Sequence, residues 1–135
     1  ALSRGASFAV AVDDDGQAIR QLARSAKELG VENDLRPVRA NLLRNPSAAI
    51  EKLPSELGRF TLVFADAPYS EIQSVPAILT ALLNAECLAP GAWLVVEHPS
   101  THDWQWPNGL ASDAQYRYGH TGISLGVYEP EKGSP

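Results

Sequence analysis

Thr61-Leu62-Val63-Phe64-Ala65-Asp66-Ala67-Pro68-Tyr69 is the stretch on which the fold turns. Five apolar or β-prone residues in a row, too few for a helix, read as a strongly buried strand. The strand runs straight into an acid, a small residue, a proline and an aromatic ring, which end a strand and open a loop. Downstream, Val75, Ile78, Leu79, Leu82 and Leu83 recur at helical spacing, and Pro76 is tolerated in a first turn. Pro90-Gly91 then turns the chain into another buried strand, Ala92 to Glu97. Upstream, Ser7 to Val12 reads as a strand ending at three aspartates. From Gly16 the period changes: Ile19, Leu22, Ala23, Ala26 and Leu29 make one helical face, closed by Gly30 at C′. Leu35 to Arg39 is a short strand, and Pro46 to Leu53 a short helix with Ile50 and Leu53 inward.

Beyond Glu97, residues His98 to Asn108 read as a loop. Ala114 to Tyr118 and Gly122 to Tyr128 form a hairpin about Gly119-His120-Thr121. The order is β-α-β-α-β-α-β-loop-β-β, an α/β layer fold. One domain is expected over residues 1–129, with a disordered tail over 130–135.

Hydrophobic residues are 44% of the chain and charged residues 20%, which places it with ordinary globular proteins. The longest apolar run, Ala92 to Val96, falls far short of the roughly 18 residues a membrane span needs. The start shows no secretory signal, and a single cysteine, Cys87, allows no intrachain disulfide. A cytoplasmic setting is expected. One cysteine and three scattered histidines give no metal-ligand spacing, so no metal is expected. The net charge of −5 argues against nucleic-acid binding by this segment alone. Yet Arg20, Arg24, Lys27, Arg36, Arg39 and Arg44 gather in the first third, where an ordinary solvated face is the simpler reading.

Asp66-Ala67-Pro68-Tyr69 resembles the Asp/Asn-Pro-Pro-aromatic signature of enzymes that methylate exocyclic amino groups of adenine or guanine. Four further stretches narrow the likeness. Ala1-Leu2-Ser3-Arg4-Gly5-Ala6 is similar to a helix end after a cofactor loop. Val12-Asp13-Asp14-Asp15 stands at an acidic second-strand end. Val95-Val96-Glu97-His98 resembles a Val-Glu-His strand end, and Tyr118-Gly119-His120-Thr121 a hairpin turn. Together they resemble the RsmD-like family of class I S-adenosylmethionine-dependent methyltransferases, which act on a guanine N2 of small-subunit 16S ribosomal RNA. The likeness covers Ala1 to about Tyr128. It departs at Ala67, where the family carries its first proline, and it lacks the opening strand and the Gly-rich cofactor loop.

That resemblance implies a Rossmann-like class I methyltransferase sheet with helices on both faces, a C-terminal antiparallel hairpin and a missing first strand. It implies S-adenosyl-L-methionine as cofactor, and ribosomal RNA or the assembling small subunit as partner. A purine exocyclic amine is a poor nucleophile, because its lone pair is delocalised into the ring. Hydrogen-bond acceptors on its N–H groups must make it more sp3-like while it is held in line with the sulfonium methyl. Asp66 is the first acceptor candidate and the Ala67 carbonyl the second, with Pro68 biasing Ala67 toward extended backbone. Tyr69 is the stacking platform for a flipped base. Asp66 also belongs to the cofactor set, with Asp13 for the ribose hydroxyls and Asn41 near the adenine. Capping and turn formation compete for Asp13 and Asn41, and a plain strand-to-loop turn for Asp66 to Tyr69.

Several assignments stay secondary. Glu97 and His98 are pocket-rim candidates, though a structural pair is the simpler reading. Trp104 and Trp106 could stack on RNA or cover the sheet, Trp93 reads as core, and Cys87 as a buried helix end. Adenine-N6 methylation is the rival chemistry, since the tetrapeptide is shared. A non-catalytic fragment or degenerate binding module is the rival class. Without its central first strand the chain would carry two unpaired sheet edges. It is expected to be inactive alone, and to need a complementing upstream segment or a strand-swapped dimer.

Overall fold

The computed structural model describes residues 6–53 and 58–130, arranged as two compact units, Ala1–Pro54 and Ser55–Pro135. Residues 1–5, which open the family resemblance, and 131–135, most of the expected tail, lie outside the described residues.

In the first unit, β1 (Ala9–Asp13), α1 (Gly16–Glu28), β2 (Leu35–Arg39) and α2 (Pro46–Glu51) follow in the order read from the sequence. β1 and β2 pair in parallel, from Ala9 opposite Leu35 to Asp13 opposite Arg39. Parallel neighbours need a crossover, and α1 is that crossover. Asp15 caps α1, its Oδ1 accepting from the Gln17 N–H at 2.9 Å. Gly30 ends it at φ 73°, a left-handed conformation that glycine adopts without a Cβ clash, and its N–H donates to the Lys27 carbonyl. The helical face is narrower than its spacing implied. Ala26 is buried and Ile19 and Leu22 partly so, while Ala23 is exposed and Leu29, as the C-cap, projects into solvent. Asn45 caps α2, whose Ala49 packs with Val38 and Ala40 into a small core flanked by Val10, Val12 and Leu42.

The cap of α1 separates experimentally from the aspartate beside it. Asp15→Ala is expected to cost about 1 kcal/mol of stability, through the orphaned Gln17 N–H. Asp14→Ala, whose carboxylate holds no partner among the described residues, should change stability by less than about 0.5 kcal/mol. Urea denaturation followed by helical circular dichroism compares the two.

The second unit holds β3 (Phe60–Ala65), a 3-10 turn (Tyr69–Ser74), α3 (Val75–Asn84), β4 (Leu88–Pro99), β5 (Leu110–Tyr118) and β6 (Thr121–Tyr128). Its sheet runs β3-β4-β6-β5, with β3 and β4 parallel and the other neighbours antiparallel. Val75, Leu79 and Leu82 of α3 are buried as their spacing required, and the 3-10 turn ahead of the helix buries Ile72.

Several readings of this unit are corrected. β3 is covered on one face only: Phe64 is 70% exposed, and Trp93, expected in the core, shares its open face and is 45% exposed. An apolar run does not say whether one side of a sheet is covered or both. Pro90-Gly91 makes no turn between elements, because β4 passes through it. The pairing jumps from Phe60 with Leu88 to Leu62 with Trp93, so the extra residues form a bulge. β5 begins at Leu110 rather than Ala114, because a register shift between Ser112 and Ala114 breaks the alternation there. The hairpin turn is Gly119-His120, with Thr121 already in β6.

The opposite face of this sheet is the core. Leu94, Val96 and Ser124 are fully buried there, and His98 nearly so. One edge of β1 and one edge of β3 have no partner strand among the described residues.

Candidate functional site

Open α/β sheets place ligands beyond the carboxyl ends of their strands. Each unit presents its sequence-nominated residues at such an end. In the first unit, β1 ends at Asp13, and the Ala40 N–H donates to the Asp13 carbonyl at 3.0 Å, bringing the end of β2 alongside. Asn41 follows directly. Asp13 Oδ1 accepts from the Asp15 N–H at 2.9 Å, which turns its carboxylate back over the strand end. Its second carboxylate oxygen has no partner among the described residues. Asp15, not Asp13, is the helix cap, so capping does not consume Asp13. Asn41 Oδ1 accepts from the Arg44 N–H at 3.0 Å, the turn role weighed for it above, and its amide N–H groups stay unengaged among the described residues. Arg39 arches over the start of α1, its Nε donating to the Asp14 carbonyl at 3.1 Å. A Cβ on buried Gly16 would meet that guanidinium at 3.0 Å.

In the second unit, Asp66 is exposed just past the end of β3 and Ala67 is half-buried. Pro68, at φ −52° and ψ 142°, is extended, and its carbonyl accepts from the Glu71 N–H as the 3-10 turn begins. Tyr69 stands at the head of that turn, 40% exposed. Its hydroxyl lies 3.1 Å from Thr121 Oγ1 and 3.5 Å from Glu97 Oε1. The phenol is tethered by its tip to β4 and β6, leaving ring surface in solvent. Glu97 thus faces the candidate site. Thr121 was not legible as a contact, because the pairing spans 52 residues and its stretch was read only as a hairpin turn.

His98 points the other way. It is 5% exposed, its Nε2 lies 2.8 Å from Ser124 Oγ, and its Nδ1 lies 2.9 Å from the Pro99 carbonyl, to which that nitrogen donates. Its ring stacks on Trp104, centroids 6.1 Å apart, and Trp104 meets Trp106 edge-on at 5.3 Å. Trp104 is 4% exposed, so of its two readings, cover over the sheet is the one observed. Cys87 is partly buried, and burial pushes its thiol up, away from the reactive thiolate. Among the described residues no three metal-ligating side chains gather, and no helix is long and apolar enough to cross a membrane.

The family model described as Conserved hypothetical protein 95 matches residues 1–127. The chain belongs to that family. It is 30% identical over 126 residues to YlbH of Bacillus subtilis (strain 168), a protein provisionally named an rRNA methyltransferase, covering 93% of this chain and 66% of that one. Among solved structures it is similar to a conserved hypothetical protein of Streptococcus pyogenes, with a TM-score of 0.80, 27% identity, and 96% of this chain and 76% of the other covered. It also superposes on an RNA methyltransferase of Salinibacter ruber solved with S-adenosyl-L-homocysteine, with a TM-score of 0.60 and 16% identity over 95% of this chain and 70% of that one. The last likeness is one of fold alone. The fold is that of the class I methyltransferases, mixed in strand direction and closed by the antiparallel β5-β6 pair. The RsmD-like resemblance read from five short stretches is the family found.

Proposed function

We propose that the chain supplies the acceptor end of an S-adenosylmethionine-dependent RNA methyltransferase, acting on the exocyclic N2 of a guanine in 16S ribosomal RNA. The chain spans just under two thirds of YlbH, so the activity described belongs to a protein of its relatives' length. The observation that carries the reading is Asp66-Ala67-Pro68-Tyr69 at the exposed carboxyl end of β3, with the Tyr69 hydroxyl held by Thr121 and Glu97. The solved S-adenosyl-L-homocysteine complex of the Salinibacter ruber relative supports the cofactor. So does the uncommitted oxygen of Asp13, which suits a ribose hydroxyl. When bound, S-adenosylmethionine supplies an activated methyl group on sulfur.

The remaining work falls to the chain. Asp66 accepts a hydrogen bond from one N–H of the target amine, and the Ala67 carbonyl accepts from the other. Together they localise the nitrogen lone pair and aim it. Tyr69 stacks on the extruded base, and its tethered hydroxyl fixes the ring plane before the base arrives. Alanine at 67 keeps the carbonyl and loses only proline's rigidity, so competence is reduced rather than abolished. A cytoplasmic setting and an RNA or small-subunit partner follow from this reading.

Calorimetric titration of S-adenosyl-L-homocysteine tests the cofactor half. The wild-type chain is compared with Asp13→Ala, each alone and joined to the Gly-rich segment that the family resemblance implies. Binding by the joined protein, weakened about tenfold or more in Asp13→Ala, is the expected result. Folded proteins that give no heat in any form would turn the reading toward a non-catalytic binding module.

A further inference from the structure

On the sheet face opposite Tyr69 lies an open-sided cavity of about 480 Å³, its edge-strand wall formed by exposed Gln115 and Arg117. Its origin is visible in the strand register. His98 of β4, Gly122 of β6 and Arg117 of β5 form one row across three strands, and Ser124 and Gln115 belong to the neighbouring row. Gly122 brings no side chain to the middle of its row. A Cβ there would meet the His98 ring at 2.5 Å, so only glycine lets the imidazole lie flat and leaves the hollow between it and the edge strand. The loop after β4 closes the hollow with Ser100, Thr101 and His102, and Trp104 lies against His98.

The lining is rich in hydrogen-bond donors. Arg117, His102, Gln115, Ser100 and Thr101 hold no side-chain hydrogen bond within the protein among the described residues. His98, by contrast, spends both ring nitrogens on Ser124 and Pro99. The indole N–H of Trp104 is buried without an acceptor. One carboxylate, Asp103, stands among them. A guanidinium fork with an imidazole, an amide and two hydroxyls matches the acceptor oxygens of a phosphate. The cavity and the candidate base platform occupy opposite faces at the same end of the sheet. Glu97 and His98 are consecutive, as are Thr121 and Gly122, and one member of each pair faces Tyr69 while the other faces the cavity.

We propose that this cavity is a phosphate subsite for the RNA strand, engaging a backbone phosphate of the RNA whose target nucleotide is held at Tyr69 on the other face of the sheet end. It rests on the RNA reading above, and supplies a local cationic contact in a chain whose net charge is −5. Arg117 is the principal ligand, and the register of β5 against β6 positions it.

The test follows the Trp104 indole N–H resonance by nuclear magnetic resonance while guanosine 5′-monophosphate, guanosine, inorganic phosphate or a short single-stranded RNA is added. The RNA and the monophosphate are expected to shift it and guanosine to leave it in place. Arg117→Gln, on an exposed edge strand, should weaken the RNA effect about tenfold with the fold intact. Equal binding by Arg117→Gln overturns the proposal. So does an inorganic phosphate response as tight as that of RNA, since the source would then be a free anion. These readouts need no methyl transfer, so a failed cofactor titration with an intact Trp104 shift would separate the two readings.

Discussion

In the protein carrying the Gly-rich cofactor segment, Asp66→Ala is expected to lower methyl transfer by about 10²- to 10³-fold in kcat. Removing one preorganised hydrogen-bond partner from a reacting group costs that much in comparable sites. The effect belongs in kcat because the bond matters most as the amine nitrogen rehybridises, not when the base first stacks. Asp66 is exposed and makes no hydrogen bond among the described residues, so its loss should leave stability within about 0.5 kcal/mol. Asp66→Asn keeps one carbonyl acceptor and should retain intermediate activity. Single-turnover transfer from radiolabelled S-adenosylmethionine, measured beside thermal unfolding, checks both parts. Equal rates for wild type and Asp66→Ala would remove Asp66 from the chemistry.

Leu94→Ala should destabilise the second unit by about 2–5 kcal/mol, the range for a buried leucine reduced to alanine. Leu94 is fully buried at the centre of β4, opposite Val63 on one side and Gly126 on the other. Gly126 cannot fill the void, because a Cβ there would already meet the Trp106 ring at 2.7 Å. Leu62, on the open face of the same strand pair, is 46% exposed, and Leu62→Ala should cost well under half as much. Urea midpoints for the two variants give the comparison. Similar losses would mean that the open face is covered in solution.

Element order was legible in the sequence because each helix carried its own period and each strand its own punctuation. Gly30 ended α1 by backbone chemistry that any single sequence displays, while the choice of Asp15 as its cap came only with the structure. The errors fell where a residue's neighbours lie far along the chain. Phe64 and Trp93 are apolar and β-prone, and nothing local says that their shared face is open. Pro90-Gly91 has the composition of a turn, and only its pairing against β3 makes it a bulge. Asp66 to Tyr69 was legible as a motif and by its place at a strand end. The Tyr69 tether to Thr121 was not, nor was the hollow above Gly122, because both arise from strand register. Asp13 was named among three adjacent aspartates from its place at a strand end, and the structure gives the competing capping role to Asp15.

The most direct measurement is mass spectrometry of nucleosides from 16S ribosomal RNA treated with the protein and S-adenosylmethionine, the protein carrying the Gly-rich cofactor segment. N2-methylguanosine, absent when Asp66→Ala replaces the wild type, is the predicted product. N6-methyladenosine instead, or no methylated nucleoside under conditions where the cofactor binds, would contradict guanine N2 methylation.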